Sequence, residues 1–478
     1  MPWPLHWLPT LATPIPDDLL DLLRLALAVA VTVHVLRTKR DVAAATGWIG
    51  LAWLAPLSGG LLYAVFGINR VRRRAHSLRG RPADTDTPAT APAGAPGNHL
   101  AALDRAAWRI TRRPRHPGND VAILENGDAA YPAMHAAIEC ATESIALSTY
   151  IFANDIAGRP LLDALTAAHR RGVAVRVLVD GIGSGYFWSS AVRSLRHAGV
   201  PVAQFLHSPL PWRMPFLNLR THTKLLVLDG KLAFTGGMNI SRHNLVATHP
   251  PYPVRDLQFR LQGPVVAQLM EAFADDWEFV TDEELTGPAW FPALAPAGDA
   301  VARVVTSGPD QDLEHIEFVM LQAISCAQEK IEIMTPYFLP ADRLITALAL
   351  AAMRGIDVNV LMPARGNHRV VDWAARANPG PLLTAGVTIW QNHPPFDHSK
   401  IMVVDGIWCF IGSANWDARS LRLNFELNVE ILSADLASSL SALMTARRGP
   451  QLTQSILDAR AAPAKLRDAG ARLLLPYL

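Results

Sequence analysis

Apolar residues are concentrated in two stretches near the start of the chain. The first, 19–36, is interrupted by Asp21, Arg24 and His34, whereas the second, 48–68, carries no charge and begins with a tryptophan. A bilayer core requires roughly 20 apolar residues in a helix. The second stretch is therefore predicted to span a membrane, and the first is a marginal span. Together they predict a helical transmembrane hairpin within an anchor of residues 1–76.

A polar segment separates this anchor from the rest of the chain. Residues 77–118 are predicted to be a linker, because the part between 79 and 98 is rich in Pro, Ala, Thr and Gly and cannot bury a core. Two domains are predicted beyond it, a first lobe over 119–290 and a second over 300–478.

The two lobes repeat one pattern of apolar and polar positions. IALSTYIFAND, GRPLLDALTAAHRRG and VAVRVLVD read as strand, helix and strand, and IEIMTPYFLP, ADRLITALALAAMRG and IDVNVLMP repeat that order. Tyr150 and Tyr337 match, as do Gly172 and Gly355. Alternating strands and helices predict an α/β fold with two pseudo-symmetric α-β-α lobes. A site at their interface would take one motif from each lobe.

The composition indicates contact with a membrane and argues against a strongly basic protein surface. Of 478 residues, 50% are hydrophobic and 18% charged, against about 25% charged in typical soluble domains. The 44 Lys and Arg balance 42 Asp and Glu, so the net charge is only +2. No global basic field indicates nucleic-acid binding, and phosphate chemistry must be local.

Each lobe carries a His-x-Lys-x4-Asp motif followed by Gly-x-x-Asn at identical spacing. The predicted catalytic residues are these six, with Asp229 and Asp405 assigned to structural hydrogen bonding: His222, Lys224, Asp229, His398, Lys400 and Asp405. The glycine-containing turns add three predicted phosphate-binding residues, Asn239, Ser413 and Asn415, which are also well suited simply to cap a turn.

Residues two apart project to one face of a strand, so an imidazole and an ammonium can meet one phosphate. Two such faces permit a displacement in which one imidazole attacks phosphorus and the other exchanges a proton with the alcohols. The lysines would neutralise the phosphate oxygens, so this chemistry requires no metal or other cofactor. No carboxylate cluster at metal-ligand spacing accompanies the motifs.

The paired motifs resemble those of the phospholipase D superfamily. IGSANWDARSLRLNFELN, the apolar segments ending in LLYAVFGINR, and the closing ARLLLPYL resemble bacterial cardiolipin synthases in particular. The resemblance implies two phospholipase D-like lobes with one site between them. It also implies transfer of a phosphatidyl group to an alcohol on a second lipid.

The resemblance further assigns carboxylates that orient the catalytic histidines, at Asp256 in VRDLQF and Glu426 in LNFELN. It favours His222 as nucleophile and His398 as general acid and base, although pseudo-symmetry allows either order. Thr223 departs from the family, where Arg is common. By strand alternation it faces away from phosphate. Tyr150 and Tyr337 are interpreted as core aromatics.

The expected activity is cardiolipin synthesis from two phosphatidylglycerol molecules through a phosphohistidine, with release of glycerol. The expected partners are phospholipids and the bilayer, and no nucleic acid is expected. The sequence does not indicate the oligomeric state. The resemblance implies a location in the bacterial inner membrane, and the positive-inside rule favours a cytoplasmic catalytic part. A hydrolytic phospholipase D and an inactive lipid-binding scaffold are the alternatives, and a nuclease is disfavoured.

Overall fold

The computed structural model describes residues 17–39, 42–67, 99–185, 187–207, 219–309, 312–377 and 379–473. The chain divides near residue 72 into two compact units. The N-terminal unit contains α1 (Asp17–Thr38), α2 (Val42–Leu54), α3 (Pro56–Leu62) and a π-helical turn at Tyr63–Gly67.

The helices of the N-terminal unit fold back on one another. The imidazole Nδ1 of His34 lies 2.6 Å from the hydroxyl of Tyr63, and the indole of Trp53 donates to Thr32 Oγ1 at 3.0 Å. Val35 and Ala52 are buried in the small core between the helices. The predicted helical hairpin is therefore present, but its two arms differ from the prediction.

Helix α1 is long and apolar enough to cross a membrane, and no other described helix meets that criterion. The second apolar stretch breaks at Ala55, whose backbone (φ −144°, ψ 72°) leaves the helical region before Pro56. A residue before proline is pushed out of the α region by the proline ring. The stretch 48–68 is thus not one continuous helix, and its crossing of a membrane stays a prediction. The marginal stretch 19–36 lies in the helix of spanning length.

The described part of the second unit is built on one mixed sheet of 15 strands. In spatial order these are β19 (Arg448–Leu452), β13 (Thr388–Asn392), β12 (Asp357–Pro363), β10 (Lys330–Met334), β15 (Ile401–Val404), β16 (Trp408–Gly412), β18 (Glu426–Leu432), β9 (Ala300–Ser307), β1 (His116–Glu125), β8 (Leu257–Gln262), β6 (Leu232–Gly236), β5 (Leu225–Leu228), β2 (Ser144–Thr149), β3 (Ala174–Asp180) and β4 (Val202–Phe205). Two short pairs lie outside this sheet, β7 (Val254–Arg255) with β14 (Phe396–Asp397) and β11 (Phe338–Leu339) with β17 (Trp416–Asp417).

Helices connect and flank these strands. Their bounds are Ala101–Thr111, Asn126–Cys140, Gly158–Arg170, Ser190–His197, Val265–Thr281, His315–Cys326, Asp342–Met353, Arg369–Ala377, Gly380–Ala385, Ala418–Arg422, Ala434–Ala446, Gln454–Asp458 and Ala462–Arg472, with 3-10 turns at Arg242–Asn244 and Val246–Thr248.

The strand order displays the duplication directly. The order β1-β8-β6-β5-β2-β3-β4 in the first half matches β9-β18-β16-β15-β10-β12-β13 in the second, and antiparallel β1 and β9 join them. Each half has its own buried apolar cluster. The predicted α/β fold is confirmed, with the two halves sharing one continuous sheet inside one compact unit.

The segment predicted as linker is partly structured. The helix Ala101–Thr111 packs through Leu100, Leu103 and Ala107 into the core of the second half, and β1 already begins at His116. Its Asp104 accepts a hydrogen bond at 3.1 Å from the buried Arg303. This helix has an apolar face to bury, so the linker assignment is wrong for 99–118. Residues 77–98 lie outside the described residues.

Candidate functional site

Each His-x-Lys segment runs beside a segment from the opposite half of the sheet. Thr221 forms a parallel bridge with Phe425, and β14, which directly precedes His398, pairs in parallel with β7. The backbone N–H of His222 donates to the carbonyl of Phe425 at 2.9 Å. The N–H of His398 donates in the same way to Arg255 at 2.8 Å. The backbone therefore fixes each histidine against the other half.

The residue after each backbone acceptor supplies a carboxylate to the imidazole. Nδ1 of His222 lies 3.0 Å from Glu426, and Nδ1 of His398 lies 2.8 Å from Asp256. The two predicted orienting carboxylates therefore contact the histidines crosswise, each reaching the motif of the other half. The sequence had predicted the carboxylates without assigning either one to a particular histidine.

Burial sets the protonation of these pairs. Desolvation lowers the pKa of the His222 imidazole, and desolvation together with Lys400 lowers that of His398 to about 4. Burial opposes ionisation of the carboxyl groups, but neighbouring Lys400 and the His398 hydrogen bond lower the pKa of Asp256, while His222 does the same for Glu426. At neutral pH each neutral imidazole donates its Nδ1–H to a carboxylate. Nε2 then carries a free lone pair.

The two lysines fold back onto their own motifs. Nζ of Lys224 donates to the carbonyl of His222 at 2.5 Å and lies 5.5 Å from the ring centre of Tyr150. Nζ of Lys400 donates to the carbonyl of His398 and lies 3.0 Å from its Nδ1. Desolvation lowers the pKa of Lys224 to about 7 and that of Lys400 to about 8.

Both histidines line one cavity of about 420 Å³. Its wall contains residues from both halves: Tyr150, Ile151, Ile182, Arg220, His222, Asn239, Tyr337, Leu339, Asn367, His368, Val371, His398, Asn415, Asp417, Arg419, Ser420 and Asn424. Since Nδ1 of each imidazole faces its carboxylate, Nε2 is the ring nitrogen available to this cavity.

Asn239 and Asn415 occupy equivalent positions on the cavity wall. The side-chain oxygen of each is buried and has no hydrogen-bond partner among the described residues. The two ends of an asparagine amide are interchangeable by rotation, so either N–H₂ can instead be presented to the cavity. A buried polar atom without a hydrogen-bond partner lowers the stability of the fold. A phosphate oxygen bound in the cavity would accept a hydrogen bond from the asparagine N–H₂ group.

Ser413 lies elsewhere, contrary to its predicted phosphate-binding position. Its hydroxyl donates to Glu426 at 2.5 Å and accepts the backbone N–H of Leu427 at 3.0 Å, and it is absent from the cavity wall. The equivalent Gly237 allows close approach of the other carboxylate, since a Cβ there would lie 2.5 Å from Asp256 Oδ1.

The two motif aspartates bind backbone N–H groups of neighbouring loops and do not line the cavity. The carboxylate of Asp229 accepts the backbone N–H groups of Thr142, Glu143 and Ser144. Asp405 accepts those of Gln328, Glu329 and Lys330, at 2.8 to 2.9 Å. Each aspartate has a positive φ of 50° in the turn that follows a motif strand. Neither lines the cavity, and Thr223 also lies outside it.

Tyr150 and Tyr337 were interpreted as core aromatics, but both line the cavity. Their rings stand edge-on to the histidines, at centroid distances of 5.2 Å from His222 and 6.2 Å from His398. The interpretation was therefore wrong, because each tyrosine lies just outside a strand, Tyr150 after β2 and Tyr337 before β11, and contributes to the cavity wall. Their matching places in the two repeats were the available signal.

Arg220 and Arg419 are cavity residues that the sequence analysis missed. Arg220 lies two residues before His222, and alternation along an extended segment places both side chains on one face. That spacing was a usable signal. For Arg419, the second residue of the short helix Ala418–Arg422, no comparable spacing pointed to the cavity.

Comparisons with known proteins identify relatives of this chain. A family model described as cardiolipin synthase, phospholipase D-like domain, matches residues 134–277 and 320–447. A cardiolipin synthase of Geobacillus kaustophilus is 33% identical over 447 residues, covering 90% of this chain and 88% of that protein. Cardiolipin synthase A of Pseudomonas aeruginosa is 32% identical, with 93% of each chain covered.

The chain belongs to the cardiolipin synthase family of phospholipase D-like proteins. As a member of this family it is a phosphatidyltransferase, as the sequence predicts. The crystal structure of a Haemophilus influenzae phosphatidylserine synthase superposes with a TM-score of 0.61, covering 79% of this chain and all of that one. At 14% identity that likeness supports the phospholipase D-like fold alone.

Proposed function

We propose that the protein joins two phosphatidylglycerol molecules into cardiolipin and releases glycerol, with a phosphohistidine intermediate. The observation that carries this proposal is the pair of buried imidazoles, each held through Nδ1 by a carboxylate of the opposite half while both rings line one cavity. A paired nucleophile and acid–base residue suits a two-step displacement at phosphorus.

In the first step Nε2 of His222 attacks phosphorus of the donor lipid. The P–O bond to glycerol breaks, and the leaving oxygen takes up a proton from Nε2 of His398. Without substrate His398 is neutral at neutral pH, and the negative charge of a bound phosphodiester favours the imidazolium form that supplies this proton. The amides of Asn239 and Asn415 donate to the phosphoryl oxygens. Lys224 and Lys400 do not line the cavity but lie against the motif histidines, and their positive charges stabilise the negative charge on these oxygens from there. The product of this step is phosphatidyl-His222 with free glycerol.

In the second step His398 takes the proton from a terminal hydroxyl of the second phosphatidylglycerol. That oxygen attacks phosphorus, the P–N bond breaks, and His222 regains its lone pair. His398 is again protonated for the next cycle. Asp256 and Glu426 keep both rings in the tautomer that this sequence requires.

The phospholipid substrates and helix α1 support a membrane location. We place the protein in the bacterial inner membrane with its catalytic unit on the cytoplasmic side. Basic residues that flank membrane spans tend to remain in the cytoplasm, and such residues flank the apolar stretches of this chain. Protease accessibility in right-side-out and inverted vesicles tests this orientation. Digestion of the catalytic unit only in inverted vesicles is expected, whereas digestion in right-side-out vesicles would overturn it.

The reaction is tested by incubating purified protein with labelled phosphatidylglycerol in mixed micelles containing a chelator, followed by lipid separation. Cardiolipin and glycerol in equal amounts are expected. Phosphatidic acid as the sole product would replace transfer with hydrolysis, and absence of turnover would favour a lipid-binding scaffold. His222→Ala and His398→Ala variants, compared with Arg260→Gln at a surface ion pair with Asp120, link any turnover to the site.

A further inference from the structure

The cavity has two arginines that lie outside the duplicated motifs. Arg220 precedes the first motif histidine by two residues, and Arg419 follows Asn415 by four residues in the second half. Both are half-buried and line the same cavity as His222 and His398. The two motif lysines, in contrast, do not line this cavity.

These arginines break the pseudo-symmetry of the site. The residue two positions before His398 is Phe396, and the residue four positions after Asn239 is His243. Neither of these equivalents lines the cavity. The additional guanidinium charge therefore has no symmetric counterpart in a cavity whose histidines, asparagines and tyrosines occur as matched pairs.

Acidic groups beside the arginines are already engaged by backbone donors. Asp180 accepts the N–H groups of Ile182, Gly183 and Thr221 at 2.7 to 3.0 Å. Asp417 accepts the N–H of Ser420 at 2.7 Å. Asp180 also raises the pKa of Arg220, so it is a charge partner of that arginine.

Burial limits how well two adjacent guanidinium groups can be tolerated without an anion. Desolvation lowers the pKa of Arg220 against the opposing effect of Asp180, and burial raises the pKa of Asp417 to about 6, so this second carboxylate is ionised less readily than an exposed one. The positive charge of Arg419 further lowers the pKa of Arg220, and the Tyr150 hydroxyl that bonds Arg220 is a neutral partner. A planar fork of N–H donors is well matched to phosphate oxygens.

The separation from the reacting centre suits a second phosphate on the same product. Thr221 is bridged to Phe425, so residues 220–222 are extended, and two residues along an extended chain advance about 6.6 Å. The two phosphates of cardiolipin are joined through a single glycerol, a bridge of comparable length. A phosphate beside Arg220 would thus leave the connecting hydroxyl near His222 and His398.

We propose that Arg220 and Arg419 form a second phosphate-binding site, which holds the phosphodiester of the acceptor lipid while its terminal hydroxyl reacts. This inference rests on the proposed transfer reaction and deepens it. The pair selects an acceptor that is itself an anionic phospholipid, in preference to a neutral alcohol or water. The motif lysines and asparagines serve the transferred phosphate, and the arginines serve the phosphate that does not react.

The test measures two acceptors in competition. Arg220→Gln and Arg419→Gln are incubated with labelled phosphatidylglycerol in micelles containing butanol, and cardiolipin and the phosphatidyl butyl ester are quantified together. Both products require the same first step and the same donor phosphate, but butanol carries no second phosphate. Arg260→Gln is the matched control, since that arginine lies in a surface ion pair with Asp120.

Each cavity variant is expected to lower the ratio of cardiolipin to butyl ester by roughly tenfold or more, because a charge-assisted contact to the acceptor is lost. Butyl ester formation should persist, which also shows that the variant is folded. Arg419→Lys, which retains charge but not the fork, should give an intermediate ratio.

Equal loss of both products would overturn the inference, because it would assign the arginines to the donor phosphate or to the fold. An unchanged ratio would overturn it as well. Failure of the wild-type protein to make either product would instead reject the proposed reaction, so the two failures are distinguishable.

Discussion

Replacement of Glu426 by Gln tests how the crosswise carboxylates act. Glu426 accepts hydrogen bonds from Ser413, Ser420 and Asn424 as well as from His222. Glutamine has nearly the same shape but no charge, and one of its terminal atoms is a donor. Whichever way that amide is oriented, its N–H₂ group faces side chains that now donate.

The expected magnitude follows from these contacts. A hydrogen bond to a charged acceptor is worth about 1.5–3 kcal/mol, which corresponds to roughly 10- to 100-fold in rate. If the glutamine N–H₂ faces His222, the ring must move its proton to Nε2 and lose the lone pair needed for attack. An asparagine substitution that misorients a catalytic tautomer in this way has cost about 10⁴-fold in a serine protease. We therefore expect kcat to fall by roughly 10²- to 10⁴-fold.

The assay is the initial rate of cardiolipin formation over a range of phosphatidylglycerol concentrations. KM should change little, because Glu426 does not line the cavity. Asp256→Asn should behave similarly, and Glu283→Gln, at a partly exposed ion pair with Arg176, serves as the control. A Glu426→Gln enzyme that is folded and retains more than about a third of wild-type kcat would refute the orienting role.

Other predictions concern charge, close packing and loop support. The ammonium groups of Lys224 (pKa about 7) and Lys400 (pKa about 8) are charged below these values and lose charge as pH rises through them, so kcat/KM should fall in that window; a flat profile would contradict this. Gly237→Ala should lower kcat more than tenfold by displacing the adjacent carboxylate, whereas Gly470→Ala, with open space around its Cβ, should be near wild type in the same assay. Asp405→Asn should lower the free energy of unfolding in urea by about 1–3 kcal/mol while the folded fraction keeps its kcat, and a selective loss of kcat would assign this residue to the chemistry.

The duplication made most of the catalytic unit predictable. Matched strand and helix patterns indicated the α/β halves, and identical motif spacing located His222 and His398 together with their lysines. Local pattern could not indicate which half supplies each carboxylate. That pairing depends on how Phe425 and Arg255 align with the motif segments across the junction, which is a tertiary register.

Side-chain direction accounts for the errors at the site. Ser413 and Asn415 follow the same glycine, yet the first faces Glu426 and the second faces the cavity. Tyr150 and Tyr337 lie at strand ends, where an aromatic residue can leave the core and meet a ligand. In the N-terminal unit, hydropathy described 48–68 as one stretch, but the local conformation imposed by Pro56 divides it.

The central claim is a covalent phosphatidyl group on His222, and a donor lipid with p-nitrophenol as leaving group tests it directly. Such a leaving group needs no proton from His398, so His398→Ala should release a burst of about one p-nitrophenol per site and then stall. Mass spectrometry should find the phosphatidyl adduct on the peptide containing His222. Absence of a burst and adduct in this variant, or an adduct on His398 in a His222→Ala protein, would contradict the proposed order of attack.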